Sequence, residues 1–139
     1  MAEFVMKEMV KKQGLENEFE IASAATSAEE TGNPVYPPAK AMLLRHGISS
    51  DGKMARQMTT QDYALYDYII AMDKNNLRNL RYIIRDDPQK KISLLMNYTD
   101  SPRDVADPWY TGDFDATWQD VNEGCSGLLE HILLNDTHD

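Results

Sequence analysis

An α/β layered fold with a parallel sheet is what this sequence predicts, and three observations predict it. Stretches with apolar residues at helical spacing alternate with short apolar runs. The run at residues 68–72 is continuous, as expected of a strand covered on both faces. Asp73 follows that run directly, placed to cap the next helix. Helices alternating with three short strands give a layered, parallel arrangement.

Taken in order, Ala2, Val5, Met6, Met9 and Val10 form one helical stripe, and Gly14 follows as the cap that ends it. Residues 19–24 form the first strand candidate, and residues 25–38 read as a loop rich in Ser, Thr, Gly and Pro. Pro38 suits the first turn of a helix through Ala39, Met42 and Leu43 to Arg45 and His46, closed by Gly47. His46 there favours the helix dipole rather than a metal. Thr59 or Thr60 with Asp62 offers a cap for a short helix ending around Tyr66. After the strand at 68–72, a helix runs from Lys74 to about Ile84, with Arg78, Arg81 and Arg85 on one face. A solvated face is the favoured reading of those arginines, and anion recruitment the lesser one. Residues 92–96 are the last strand. From Phe114 the apolar positions Trp118, Val121, Cys125, Leu128, Leu129 and Ile132 mark a long final helix. Gly124 and Gly127 weaken it by roughly 1 kcal/mol each, which points to close packing against another element.

With 139 residues, the chain predicts one domain spanning 1–139, able to bury a single core. The net charge of -9 argues against nucleic acid or an anionic membrane as principal partner. No apolar run approaches the roughly 18 to 20 residues of a membrane span, and no signal peptide is read, so the cytoplasm is expected. A single cysteine excludes an internal disulfide. Cys125 falls on the buried seam between Val121 and Leu128, so it reads as a core thiol and not an activated nucleophile. His46, His131 and His138 have no ligand spacing, so no metal and no cofactor are expected.

The stretch with most chemistry is residues 104–112, an aromatic loop stiffened by Pro108 at a strand's exit, where ligands bind in parallel α/β folds. Asp107, biased to extended backbone by Pro108, sits beside Trp109 and Tyr110, whose flat faces suit the wall of an aromatic pocket. The residues alone leave two readings. One is a surface turn with an incidental acid, the commoner outcome; the other is a partly desolvated carboxyl that holds a proton for general acid catalysis.

Several stretches together resemble the low-molecular-weight protein tyrosine phosphatases, in particular their bacterial branch. They are Met1-Ala2-Glu3-Phe4, Ser23-Ala24-Ala25-Thr26-Ser27, Thr31-Gly32-Asn33-Pro34, Arg45-His46-Gly47-Ile48, Ala55-Arg56-Gln57, Ala71-Met72-Asp73 with Asn76-Leu77-Arg78, and Asp107-Pro108-Trp109-Tyr110. Their order and spacing match over essentially the whole chain. The resemblance implies a four-stranded parallel sheet flanked by helices, and hydrolysis of phosphotyrosine proteins or aryl phosphates through a cysteinyl-phosphate intermediate. It implies Asp107 as the general acid, Trp109 and Tyr110 as the pocket wall, and Ser23 and Asp73 as support for the phosphate loop. Asp73 is explained equally well as a helix cap.

Two kinds of departure qualify the resemblance. The family's nucleophile loop, a cysteine followed by five residues and an arginine, would precede Met1, together with a central first strand. Cys125 does not replace it, because His131 stands six positions on. The chain as given is therefore expected to lack a nucleophile and to be inactive, the alternative being a noncatalytic interaction domain. The gap beside residues 19–24 and 68–72 is expected to be closed by re-paired strands, a strand swap or a homodimer. The smaller departures are Lys53, where many relatives have a histidine, and Glu29, a carboxylate at the pocket rim that disfavours acidic phosphopeptides.

Overall fold

The core is built on two helices from opposite ends of the chain. The computed structural model describes residues 1–26, 32–33, 35–106 and 112–136. Helix α1, Ala2–Lys12, buries Val5, Met6 and Val10. These pack in one cluster with Val121, Cys125, Leu128, Leu129 and Ile132 of α5, Phe114–Asp136. The predicted stripes of both helices are thus the faces that meet. Burying each such aliphatic side chain is worth roughly 1.5–3 kcal/mol, so this contact dominates the energetics. Helix α2, Pro37–Arg45, adds Leu43, and its end at Gly47 takes a φ of 76°, which glycine adopts without strain.

Strands β1, Ile69–Ala71, and β2, Ile92–Leu94, pair in parallel, with Ile69 opposite Ile92 and Ala71 opposite Leu94. Successive strand residues point to opposite faces. Ile70 accordingly packs on the large cluster, and Ile69 joins a second cluster with Leu80 and Ile84. The strand is covered on both sides, as its unbroken apolar run requires. The second cluster is closed by Tyr63 of α3, Thr60–Leu65, and by α4, Lys74–Leu80. Helices on both faces of a parallel pair make the three-layered α/β arrangement.

The described sheet is narrower than the sequence predicts. Residues 19–24 form no strand, and a single parallel bridge joins Ala25 to Gln57. A strand needs a ladder of backbone partners, and this segment finds them only at its end: Ala25 N–H donates to Arg56 O at 2.7 Å and Met58 N–H to Ala25 O at 2.8 Å. Phe19 and Ile21 still pack on the main cluster. The expected re-pairing of 19–24 with 68–72 does not occur either; among the described residues β1 pairs with β2 alone. The strand expected at 92–96 stops at Leu94, because Leu95–Tyr98 winds into a 3-10 helix with Leu95 and Met96 buried.

That 3-10 helix accounts for the two glycines of α5. A Cβ at Gly124 would lie 2.5 Å from Leu95 Cγ, and one at Gly127 would fall on the carbonyl oxygen of Tyr98. Helix α3 starts where Asp62 accepts the Thr59 N–H at 2.9 Å and grips Arg56 through two bonds of 3.0 and 3.2 Å. The guanidinium holds the Asp62 carboxyl below its usual range. His46, at the end of α2, stacks on Trp118 of α5 at 3.7 Å, so its ring serves packing as well as the helix end.

Candidate active site

The segment after the 3-10 helix, residues 99–106, passes the carboxyl end of β1. Val105, buried, donates its N–H to Met72 O at 2.9 Å and so fastens residues 99–106 to the end of the strand. Ala106 is held at both of its backbone groups by α5. Its N–H donates to Asp120 Oδ2 at 3.0 Å, and its carbonyl accepts from Thr117 Oγ1 at 2.6 Å. Arg103 in turn donates to Asp120 Oδ1 at 2.6 Å and lies 3.6 Å from Glu123. One carboxylate thus neutralises a guanidinium and anchors the peptide preceding Asp107. Beyond the loop, Asp113 caps α5 by accepting the Ala116 N–H at 3.0 Å. Asp107, Trp109 and Tyr110 themselves lie outside the described residues, as does Glu29.

Asp73, at the same strand end, accepts the Asn76 N–H at 2.7 Å and caps α4, as its position after the apolar run predicts. Asp104 accepts the neighbouring Lys74 N–H at 3.2 Å, and Asn76 returns a side-chain carbonyl to the Met72 N–H at 3.2 Å. The turn out of β1 is therefore fixed on three sides.

Ser23 belongs to a second constellation at the start of α1. Its hydroxyl donates to Glu3 Oε1 at 2.6 Å. The Glu3 carboxylate, 3% exposed, also meets Lys53 Nζ at 2.7 Å and Lys7 Nζ at 2.7 Å, and Lys53 donates further to Ser23 O at 3.3 Å. Burial alone would push the Glu3 carboxyl up, but hydrogen bonds from Lys53, Lys7 and Ser23 outweigh it and bring it down to about 2. Ser23 and Lys53, two positions named from the sequence, are thereby brought together on one carboxylate, whereas Asp73 engages a separate set. The role of Glu3 was not foreseen. Its signal was the Lys7 one helical turn on, on the border of the apolar stripe.

Cys125 lies 2% exposed on the core seam, its Sγ 3.7 Å from Ala2 O. Burial pushes its thiol up to about 12, away from the thiolate that nucleophilic chemistry needs. Two surface clefts, of about 410 and 570 Å³, are lined by other residues, Tyr63 and Arg85 in the first and Met9 and Leu133 in the second.

The model of the low-molecular-weight phosphotyrosine protein phosphatase family matches residues 1–137. The chain is 38% identical over 134 residues to the low-molecular-weight protein-tyrosine-phosphatase YfkJ of Bacillus subtilis, covering 95% of this chain and 86% of that protein. It is 36% identical over 138 residues to the human low-molecular-weight phosphotyrosine protein phosphatase, covering 94% and 85%. The crystal structure of YfkJ superposes with a TM-score of 0.91 at 37% identity, over 96% of this chain and 86% of that one. That of SP-PTP from Streptococcus pyogenes gives 0.81 at 37%, over 94% and 81%. The chain belongs to the low-molecular-weight phosphotyrosine protein phosphatase family.

Proposed function

We propose that the chain carries the leaving-group half of a phosphotyrosine hydrolase, with Asp107 as the general acid. In this chemistry a thiolate attacks phosphorus, the P–O bond to the phenol breaks, and a cysteinyl phosphate forms. The departing phenolate takes its proton from Asp107. A phenol of pKa about 10 leaves poorly near neutrality unless that proton is supplied. Trp109 and Tyr110 wall the substrate ring, Ser23 supports the phosphate site from the start of α1, and Asp73 keeps the strand exit in place. The observation that carries this reading is the double anchoring of Ala106 by Asp120 and Thr117, which fixes the peptide leading into Asp107. Substrates are phosphotyrosine proteins or aryl phosphates, in the cytoplasm.

This acid needs a reactive thiol as its partner, and Cys125 is not one. Cys125 is buried and held protonated, so we infer that the 139 residues alone turn over no aryl phosphate. The same observation favours a second reading, a noncatalytic domain that binds phosphotyrosine proteins without hydrolysing them. Assay of the 139-residue protein on an aryl phosphate should give background rates, equal in the Cys125→Ser variant. Turnover abolished by that substitution would overturn the inference. The edge of β1 away from β2 has no strand partner among the described residues, and a homodimer pairing there is the assembly this reading expects. Light scattering that returns a monomer would remove that part of it.

A further inference from the structure

The outward face of residues 74–85 is cationic and contains no acid. Helical hydrogen bonding continues past α4, since Arg81 N–H donates to Leu77 O at 3.3 Å and Ile84 N–H to Leu80 O at 2.8 Å. The helix proper ends at Leu80 and a turn carries Arg81 to Ile83 on from it, so the stretch to Arg85 spans about 17 Å at the helical rise. Leu80 and Ile84 are buried on its inner side. Lys74, Arg78 and Arg81 are exposed at the i, i+4 and i+7 spacings that share one helix face, Arg85 is exposed just beyond the winding, and Tyr82 among them is 79% exposed. Four of the chain's 14 basic residues stand here, in a protein of net charge -9.

Among the described residues none of these four side chains makes an ion pair. The nearby acids are engaged or do not reach them. Asp87 spends its oxygens on the Tyr63 hydroxyl and the Lys91 and Ile92 N–H groups. Asp104 accepts the backbone N–H of Lys74, and exposed Asp86 forms no bridge to Arg85. Like charges at i, i+4 spacing, as Lys74 with Arg78 in α4, destabilise a helix unless an anion offsets them.

We propose that this face binds an acidic segment of a polypeptide substrate. The proposal rests on the phosphatase reading in that the segment belongs to the phosphotyrosine protein bound at the strand exit. The face begins at Lys74, the residue after Asp73, and runs away from that exit. An extended chain covers about 17 Å in roughly five residues, so the acids recognised lie several positions from the phosphotyrosine. Four cations and one exposed aromatic suit glutamate or aspartate interspersed with apolar side chains. A denser polyanion such as nucleic acid would meet the repulsion of the whole acidic molecule.

The test is fluorescence anisotropy of a labelled, unphosphorylated, glutamate-rich peptide titrated with the 139-residue protein at low salt. Saturable binding is expected, lost as screening rises toward 0.5 M salt. It should weaken about ten-fold in the Arg78→Glu, Arg81→Glu double variant, an amount in keeping with two reversed surface charges. The charge-matched Lys11→Glu, Lys12→Glu variant should bind as the parent does, with circular dichroism unchanged in both. Absence of saturable binding, equal weakening by both variants, or tighter binding of a labelled single-stranded oligonucleotide would overturn the proposal. The assay involves no phosphate and no turnover, so failure of the catalytic reading would leave peptide binding intact, and failure of this proposal would leave catalysis untouched.

Discussion

Glu3 and Lys53 meet at 2.7 Å in a site where the carboxylate is almost wholly buried, and this pair joins α1 to the loop after α2. Ser23 completes the junction by donating to the same oxygen that Lys53 meets, Glu3 Oε1, while Lys7 holds Oε2. Three segments remote in sequence are thus held at the amino end of α1 by one carboxylate.

A depressed carboxyl stabilises the fold above its unfolded pKa and loses that contribution as pH falls through the folded value. For Glu3 the unfolded value is about 4.5 and the folded value about 2, so the loss falls between those two. The Glu3→Gln variant should be less stable than the parent at pH 7, by on the order of 2–3 kcal/mol, and the difference should shrink as the pH drops toward 2. Urea unfolding at a series of pH values checks this. A difference that stays constant with pH would contradict the assignment.

Gly127 sets helix propensity against packing. Alanine in a helix interior is favoured over glycine by about 1 kcal/mol, so propensity alone predicts a stabilised Gly127→Ala protein. The Cβ would fall on the backbone carbonyl of Tyr98, which has no rotamer by which to yield. Overpacking of this kind costs roughly 1–3 kcal/mol or more, and it should win. Gly124→Ala meets the flexible Leu95 side chain and should lose less. Thermal melts of the two variants decide the order, and a raised melting temperature for Gly127→Ala would refute the close approach.

Asp120 anchors the peptide before Asp107, so its loss should be felt locally. In Asp120→Ala the amide of Ala106 should exchange with solvent at least ten-fold faster, while amides buried in α1 keep their protection. Hydrogen exchange read residue by residue gives the answer. Unchanged protection at Ala106 would mean the stem is held by other contacts.

Much of this was legible because it is periodic or local. The stripe of α1, the caps at Asp62 and Asp73, the glycine ends of α1 and α2, and the seam holding Cys125 all follow from spacing along the chain. The strand at 19–24 was misread because apolar alternation reports which side chains are buried, and Phe19 and Ile21 are packed, yet a ladder depends on a neighbour that local sequence does not name. The Glu3, Ser23 and Lys53 junction was hidden for the same reason: each residue is unremarkable locally, and only the fold brings a lone carboxylate to two ammonium groups. The stem of the loop was half legible. Its motif marked Asp107, but nothing marked Asp120 and Thr117 as the pair that would hold Ala106.

The acid role proposed for Asp107 is tested most directly by leaving-group dependence, in a form of the protein carrying a Cys-x5-Arg segment ahead of Met1. Asp107→Asn should slow hydrolysis of an aryl phosphate whose phenol has a pKa of about 10 by a hundredfold or more, in the range general acids supply, and should barely affect a strongly acidic phenol. An equal loss for every leaving group, or no loss for the poorest one, would contradict the account.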